Sequence, residues 1–159
     1  MLSTEPDRTL RAAFGRWVTG VAFVTAEVDG APQGLIVSSF AAVSLRPPLV
    51  SFCPASDSLT WRRMRHADHF AINVLEAGHG EFARRAAEPG ADRFSEPLRD
   101  AVAVIECGLE AEHPAGDHSI VVGRVHRVRV RTSGEPLVYF AGAFGDFSPH
   151  PQEIPCQHS

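Results

Sequence analysis

The sequence predicts a mainly β fold, an antiparallel barrel with helical additions. Three observations predict it. Short apolar runs bounded by turn residues recur at 34–37, 49–53 and 70–75, the form that strands take. Asp29-Gly30 falls between two β-patterned runs, which is a strong hairpin signal. From Val102 onward, Ala103, Ile105, Cys107, Leu109 and Ala111 share one face and Glu106, Glu110 and Glu112 the other. That period-two pattern belongs to a half-solvated antiparallel strand.

In chain order, the first element is a short helix over 5–16. Thr4 is placed to cap it, Asp7 three residues on resembles a capping box, and Pro6 is tolerated in a first turn. Leu10, Ala13, Phe14 and Trp17 fall on one face at helical spacing, which reads as a packed face. A long strand follows over 18–28, and the hairpin turns it into a second. The segment before the run at 49–53 is dense in small hydroxyl residues, Ser38, Ser39 and Ser44, and ends in Pro47-Pro48. Ser58 caps a helix to about residue 67 that carries Arg62, Arg63 and Arg65. After the strand at 70–75, a second helix over 80–88 holds Phe82 and Ala86 on one side, and Pro89-Gly90 stops it. In 118–131 the alternation slips: Val121 and Val125 share one parity, Val128 and Val130 the other. A bulge near His126-Arg127 explains the slip and bends the strand as a barrel requires. A final strand covers 136–140. Residues 1–148 read as one domain, and 149–159, rich in proline and without periodicity, as an irregular tail.

The totals narrow the function. A chain of 159 residues buries a proper core without metals or disulfides. The net charge of −4 argues against a nucleic-acid binder, which needs a basic face. Cys53, Cys107 and Cys156 are odd in number and lack CxxC spacing, so neither a disulfide framework nor a zinc site is indicated. The first residues carry acids and no long apolar run; neither a signal peptide nor a membrane span is expected, and a cytoplasmic protein is the default. Among the histidines, His66 and His69, or His113 and His118, lack a carboxylate pattern such as HExxH, and His150 and His158 lie in the tail. No metal is expected. No GxGxxG follows a strand, so nothing suggests a Rossmann domain.

The stretch that stands out is 33–60. Ser38, Ser39 and Ser44 precede its second strand, and Ser56, Ser58 and Thr60 follow it, directly ahead of a helical pattern. Hydroxyls, strand-end amides and a helix start placed together suit a phosphate with a flat ring attached. The plainer reading is that Ser and Thr populate the turns of a β protein. Cys53 within this stretch reads as a small buried thiol.

VSSFAAVSLRPPLVSFC at 37–53 closely resembles the signature stretch of the flavin reductase-like family, reductase components of two-component flavin-dependent monooxygenases. FGRWVTGVAFVTA (14–26), HFAINVL with ADRF (69–75 and 91–94) and GDHSIVVGRV (116–125) follow in the family's order, so the likeness spans about residues 10–144. It implies an antiparallel Greek-key split β-barrel of the FMN-binding type. By the same resemblance the flavin ring lies along Ile36, Val37, Ser38 and Ser39 and against Ser51, Phe52 and Cys53, held mostly by main-chain groups. Amide donors there stabilise the reduced, partly anionic ring while the cofactor does the electron chemistry. Ser44 reads as a loop hydroxyl of that site, and Ser56, Ser58 and Thr60 take the phosphate. His118 occupies the family's histidine position beside the nicotinamide and is the candidate catalytic residue. Asp92, Arg93 and Phe94 match the DRF element, with Phe94 covering a stacked nicotinamide. Tyr139 and Phe144 complete the substrate side.

Three departures from the pattern stand out. Pro54 and Asp57 replace small polar or basic residues near the phosphate, where Arg62 or Arg63 would have to offset the aspartate. Only SEPLRDA, 95–101, separates the DRF element from the next strand, which reshapes the substrate side. Phe140, Ala141 and Ala143 stand where His or Arg is usual, which lowers attraction for an anionic ligand.

The resemblance thus implies a homodimeric NAD(P)H-dependent flavin reductase, with NADH or NADPH as cosubstrate and FMN, or FAD, as acceptor. Its reduced flavin would diffuse to a partner monooxygenase. The alternative that the departures favour is a flavin-binding enzyme of the same fold that has lost dinucleotide reduction and acts on a small organic substrate.

Overall fold

The computed structural model describes residues 4–95, 98 and 100–150. Ten strands form two antiparallel sheets among them. The larger has the order β3-β2-β6-β7-β8-β5-β4, from β2 (Ala22–Val28), β3 (Ala31–Val37), β4 (Ala41–Leu45), β5 (Pro48–Phe52), β6 (Phe70–Val74), β7 (Ala103–Ala115) and β8 (His118–Val130). The smaller has the order β1-β9-β10, from β1 (Thr19–Gly20), β9 (Leu137–Phe140) and β10 (Ala143–Asp146). The end strands of the large sheet, β3 and β4, are neighbours in the chain. The sheet therefore curls around its core and leaves a seam where the chain passes from one to the other. This is the split barrel the sequence predicts.

Apolar burial explains the curl. Val24, Phe52, Ile72, Cys107 and Val121 from five strands meet inside, joined by Trp61 and Met64 of the short helix α2 (Leu59–Met64). α2 packs against β2 and β3. A second cluster, Val21, Phe23, Leu75, Ala83 and Leu137, lies on the outer face of β2 under helix α3 (Gly80–Ala86) and the small sheet. β2 is thus covered on both faces, which is why its start reads as a continuous apolar run.

Several expectations hold at residue level. Asp29 and Gly30 both take positive φ, 52° and 74°, as a two-residue hairpin requires. Ser58 caps α2 by accepting a hydrogen bond from the Trp61 amide at 3.1 Å. In β8 the pairing jumps from Glu106↔Arg127 to Cys107↔Val125, so His126 is the bulged residue. Gly108 makes room for it, because a Cβ there would meet His126 Nε2 at 2.8 Å.

Others need correction. The strand expected over 18–28 breaks at Val21, since β1 pairs with β9 while β2 pairs with β3 and β6. Residues 41–45, read as part of a hydroxyl-rich connection, form β4, and β10 follows the strand expected to be last. Its turn, Ala141-Gly142, takes φ of 50° and 83°, a hairpin turn without the usual Asn or Asp to announce it. Helix α1 is Thr4–Phe14, so Thr4 lies inside it and its cap position falls outside the described residues. Its apolar stripe does not pack against the rest of the chain: Leu10, Phe14 and Trp17 are 51%, 71% and 76% exposed. Finally, β7 carries its own bulge between Leu109 and Ala111. The alternation reverses there, and Glu112 leaves the solvated face expected for it. Instead it accepts from Trp61 Nε1 at 3.1 Å and pairs with Arg65 at 2.9 Å. Residues 151–159 of the expected tail, Cys156 and His158 included, lie outside the described residues.

Candidate functional site

Among the described residues β3 is an edge strand, so one row of its amides has no partner strand there. Its last pair is Ala22↔Val37, and Ser38 and Ser39 continue beyond the ladder, exposed. The Ser39 hydroxyl accepts from the Cys53 amide at 2.8 Å and lies 3.5 Å from the Cys53 carbonyl. It stitches the end of β3 to the end of β5 across the seam. The tip of the β7–β8 hairpin docks on the loop after β5: the Ser56 amide donates to Asp117 O at 2.9 Å and the Ser119 amide to Pro54 O at 3.0 Å. These contacts set His118 beside Ser38.

The result is a cavity of about 490 Å³ lined by residues 35–39 and 53–55 with Ser58 and His118. Two further clefts join it at Ser38. One, of about 380 Å³, runs between Ile36, Arg84, Tyr139 and Phe144. The other, of about 840 Å³, runs from Ser38 and His118 past Tyr139 to Arg11 and Arg16 of the α1 region. The Tyr139 and Phe144 rings meet at a tilt, 5.3 Å between centroids, and the Arg84 guanidinium lies 6.0 Å from the centre of the Phe144 ring.

His118 Nδ1 lies 2.8 Å from Asp117 Oδ1. The hydrogen bond from His118 holds the Asp117 carboxyl below its ordinary range, and the charges of His118 and Arg11 act in the same direction. An ionised carboxylate on Nδ1 favours the proton there and leaves Nε2 for a ligand.

The structure brings together Ile36, Val37, Ser38, Ser39, Cys53, Ser58, His118, Tyr139 and Phe144. Val37 and Phe52 point into the barrel core, 5% and 0% exposed, so only their main chain is available to a ligand. Ser44 accepts from the Arg46 amide in the β4–β5 turn, and Ser51 sits in the ladder between Ala41 and Val122; neither lines the cavity. Of the three hydroxyls expected at a phosphate, only Ser58 opens on it. Ser56 and Thr60 do not, and Arg62 donates to Ser56 O at 3.2 Å rather than pairing with Asp57.

Asp92, Arg93 and Phe94 are elsewhere. Asp92 accepts from the amides of Phe94 and Ser95, and Arg93 closes the end of α3 by donating to Ala86 O and Glu88 O. Phe94 packs on Phe23 at 5.6 Å and, with Arg93, lines a separate cavity of about 800 Å³ on the outer sheet face. Sequence reasoning missed Arg11, Arg16 and Arg84 as groove residues and Asp117 as the partner of His118. The one signal available was Asp117 next to His118. Among the described residues, no group of three His, Cys, Asp or Glu side chains is placed to hold a metal, and no helix is long and apolar enough to cross a membrane.

The lining fits a flavin: the edge strand and its continuation over 36–39 border the cavity together with Cys53 and the Ser58 hydroxyl. Fold and groove define a split-barrel protein in which a strand edge and a histidine line one cavity. The chain belongs to the flavin reductase-like domain family, whose model matches residues 14–148. It is 41% identical to the FMN reductase (NADH) SmoA of Agrobacterium fabrum, over 91% of this chain and 88% of the relative. It is 33% identical to HsaB of Rhodococcus jostii, the reductase subunit of a flavin-dependent monooxygenase, over 89% and 78%. The NADH:FAD oxidoreductase SgcE6 of Streptomyces globisporus, solved in complex with NAD and FAD fragments, superposes with a TM-score of 0.87 at 31% identity, over 96% of this chain and 99% of that one.

Proposed function

We propose that the protein is an NADH-dependent flavin reductase that passes hydride from NADH to FMN or FAD and supplies reduced flavin to a partner monooxygenase. The observation that carries this reading is the convergence of the free β3 edge, Ser38 and His118 on one groove, in a chain of this family. The relatives support the partners: SmoA is named for FMN and NADH, SgcE6 for NADH and FAD, and HsaB as a monooxygenase's reductase subunit. When bound, the flavin supplies the ring that accepts the hydride. This chain's residues hold and orient. The main chain of 36–39 and 53 offers donors and acceptors to the ring edge. Ser58 donates its hydroxyl hydrogen, its oxygen being engaged by the Trp61 amide. His118, fixed at Nδ1 by Asp117, presents Nε2 to the nicotinamide.

Ser58→Ala is expected to weaken FMN binding by about ten- to a hundredfold, one lost hydrogen bond to a charged group, and to leave riboflavin binding alone. Thr60→Ala is expected to change neither. Equal weakening of FMN and riboflavin by Ser58→Ala, in a fluorescence titration, would remove the phosphate from this position.

The homodimer belongs to the same proposal, in a protein working in the cytoplasm, where NADH is available. The exposed ridge of Leu10, Phe14 and Trp17 borders the groove and supplies an apolar contact for a second copy. Light scattering at micromolar concentration is expected to give twice the chain mass, and a single chain mass would sink the shared interface.

A further inference from the structure

The groove is cationic in an acidic protein. The chain carries 19 Asp and Glu against 15 Lys and Arg. Yet among the described residues no carboxylate lines any of the three clefts that meet at Ser38, whereas Arg11, Arg16 and Arg84 do; the acid beside them, Asp117, is taken up by His118. Clefts elsewhere are mixed, with Glu27, Asp29 and Asp68 on one and Glu27 and Glu106 on another. Side chains of one sign lining a concave surface concentrate a ligand of the opposite sign.

The arginines are not equivalent. Arg84 is already paired with Glu81 at 2.7 Å and rests over Phe144. Arg11 and Arg16 lie together on the largest of the three clefts, which begins at Ser38 and His118 and passes Tyr139, Ala141 and Gly142. The end of α1 is docked directly on that turn, with the Ala141 amide donating to Gly15 O at 2.9 Å. Phe140, Ala141 and Ala143 stand where basic side chains are expected, and of these Ala141 lines the cleft, with Gly142 beside it. The charge missing from that turn stands across it on the α1 segment. Arg11's charge acts on Asp117, which sits beside His118 at the other end of the same cleft.

We propose that Arg11 and Arg16 bind the pyrophosphate of the reduced nicotinamide dinucleotide. This rests on the reductase reading and extends it to the substrate's phosphate chain. A molecule whose nicotinamide sits by His118 and Ser38 extends past Tyr139 into this cleft. The other phosphate in the reaction, that of the flavin, belongs at the opposite end of the groove, at Ser58. Two guanidiniums facing one pyrophosphate are charge-assisted donors with the fork geometry that phosphate oxygens accept.

The test uses the double variant R11Q/R16Q with two hydride donors, NADH and N-benzyl-1,4-dihydronicotinamide, which has no phosphate. FMN is the acceptor. KM for NADH is expected to rise about twentyfold with kcat within twofold, while kcat/KM for the benzyl compound stays at the wild-type value. Added salt is expected to lower wild-type kcat/KM for NADH, and the dependence to flatten in the variant. R11K/R16K is expected to restore the salt dependence but only part of the loss in KM, because an ammonium keeps the charge without the fork. Light scattering should give the wild-type mass for both variants; a changed mass would overturn the assignment, because the loss would then run through assembly. Equal loss with both donors would overturn it as well. So would a selective loss of affinity for FMN over riboflavin, which would move the arginines to the flavin phosphate. Absence of FMN reduction by either donor in the wild-type protein is a different result: it removes the reductase reading itself.

Discussion

Phe52→Ala is expected to destabilise the protein by about 3–5 kcal/mol, the usual cost of emptying a filled aromatic site. Phe52 is 0% exposed and meets Trp61 at 5.2 Å and Phe70 at 5.7 Å, both nearly edge-on. It is the point where β5, α2 and β6 come together, so the cavity left behind has three walls and little freedom to collapse. Such a loss is a large fraction of the roughly 5–15 kcal/mol that stabilises an ordinary domain. Chemical denaturation should show a lower midpoint at nearly unchanged slope, and thermal melting a drop of roughly 6–20 °C for a chain of this size. Val130→Ala, at a position 70% exposed, is the control and should change stability by less than about 0.5 kcal/mol. Equal effects at the two positions would mean that the barrel interior is not the core described above.

The largest functional effect is expected at His118. His118→Ala should slow hydride transfer by roughly a hundredfold, the scale on which a misplaced reactant costs rate, with flavin binding changed little. Asp117→Asn should act in the same direction and more weakly. It keeps the imidazole and removes only the charge that fixes its proton at Nδ1. The pH dependence follows from the direction of Asp117's shift. Its carboxyl is held below the ordinary range by His118, so the pairing is complete above the unfolded carboxylate range and is lost only as pH falls through the lowered value. Asp117 therefore stays ionised throughout neutral and mildly acidic conditions. Stopped-flow rates should show no inflection from Asp117 between about pH 5.5 and 8. Unchanged hydride transfer in His118→Ala would leave the histidine as a hairpin-tip residue with no part in the reaction.

Much of the fold was legible because burial on one face leaves a period-two record. Asp29-Gly30, the alternation through Cys107 and the parity slip at His126 each corresponded to a backbone event. β4 was not legible, since its two larger apolar residues, Val43 and Leu45, are exposed by 53% and 90% and a register shift after Ala42 breaks the period. Glu112 misled for a related reason: an inserted residue near Glu110 turns the chain over, and nothing in the local composition marks it. The groove was half legible. Ser38, Ser58, His118, Tyr139 and Phe144 came from the family motifs and meet in space. Asp92 and Arg93 matched a motif equally well but hold the loop after α3 together. Arg11 and Arg16 could not be found from spacing, because their relevance depends on where the turn at Ala141 docks α1.

Anaerobic mixing of the purified protein with FMN and NADH tests the central claim most directly, followed by loss of flavin absorbance. The account predicts bleaching far above the protein-free rate. Flavin that binds, leaving its absorbance intact with NADH and with NADPH, would contradict it and point to a flavoprotein acting on another small molecule.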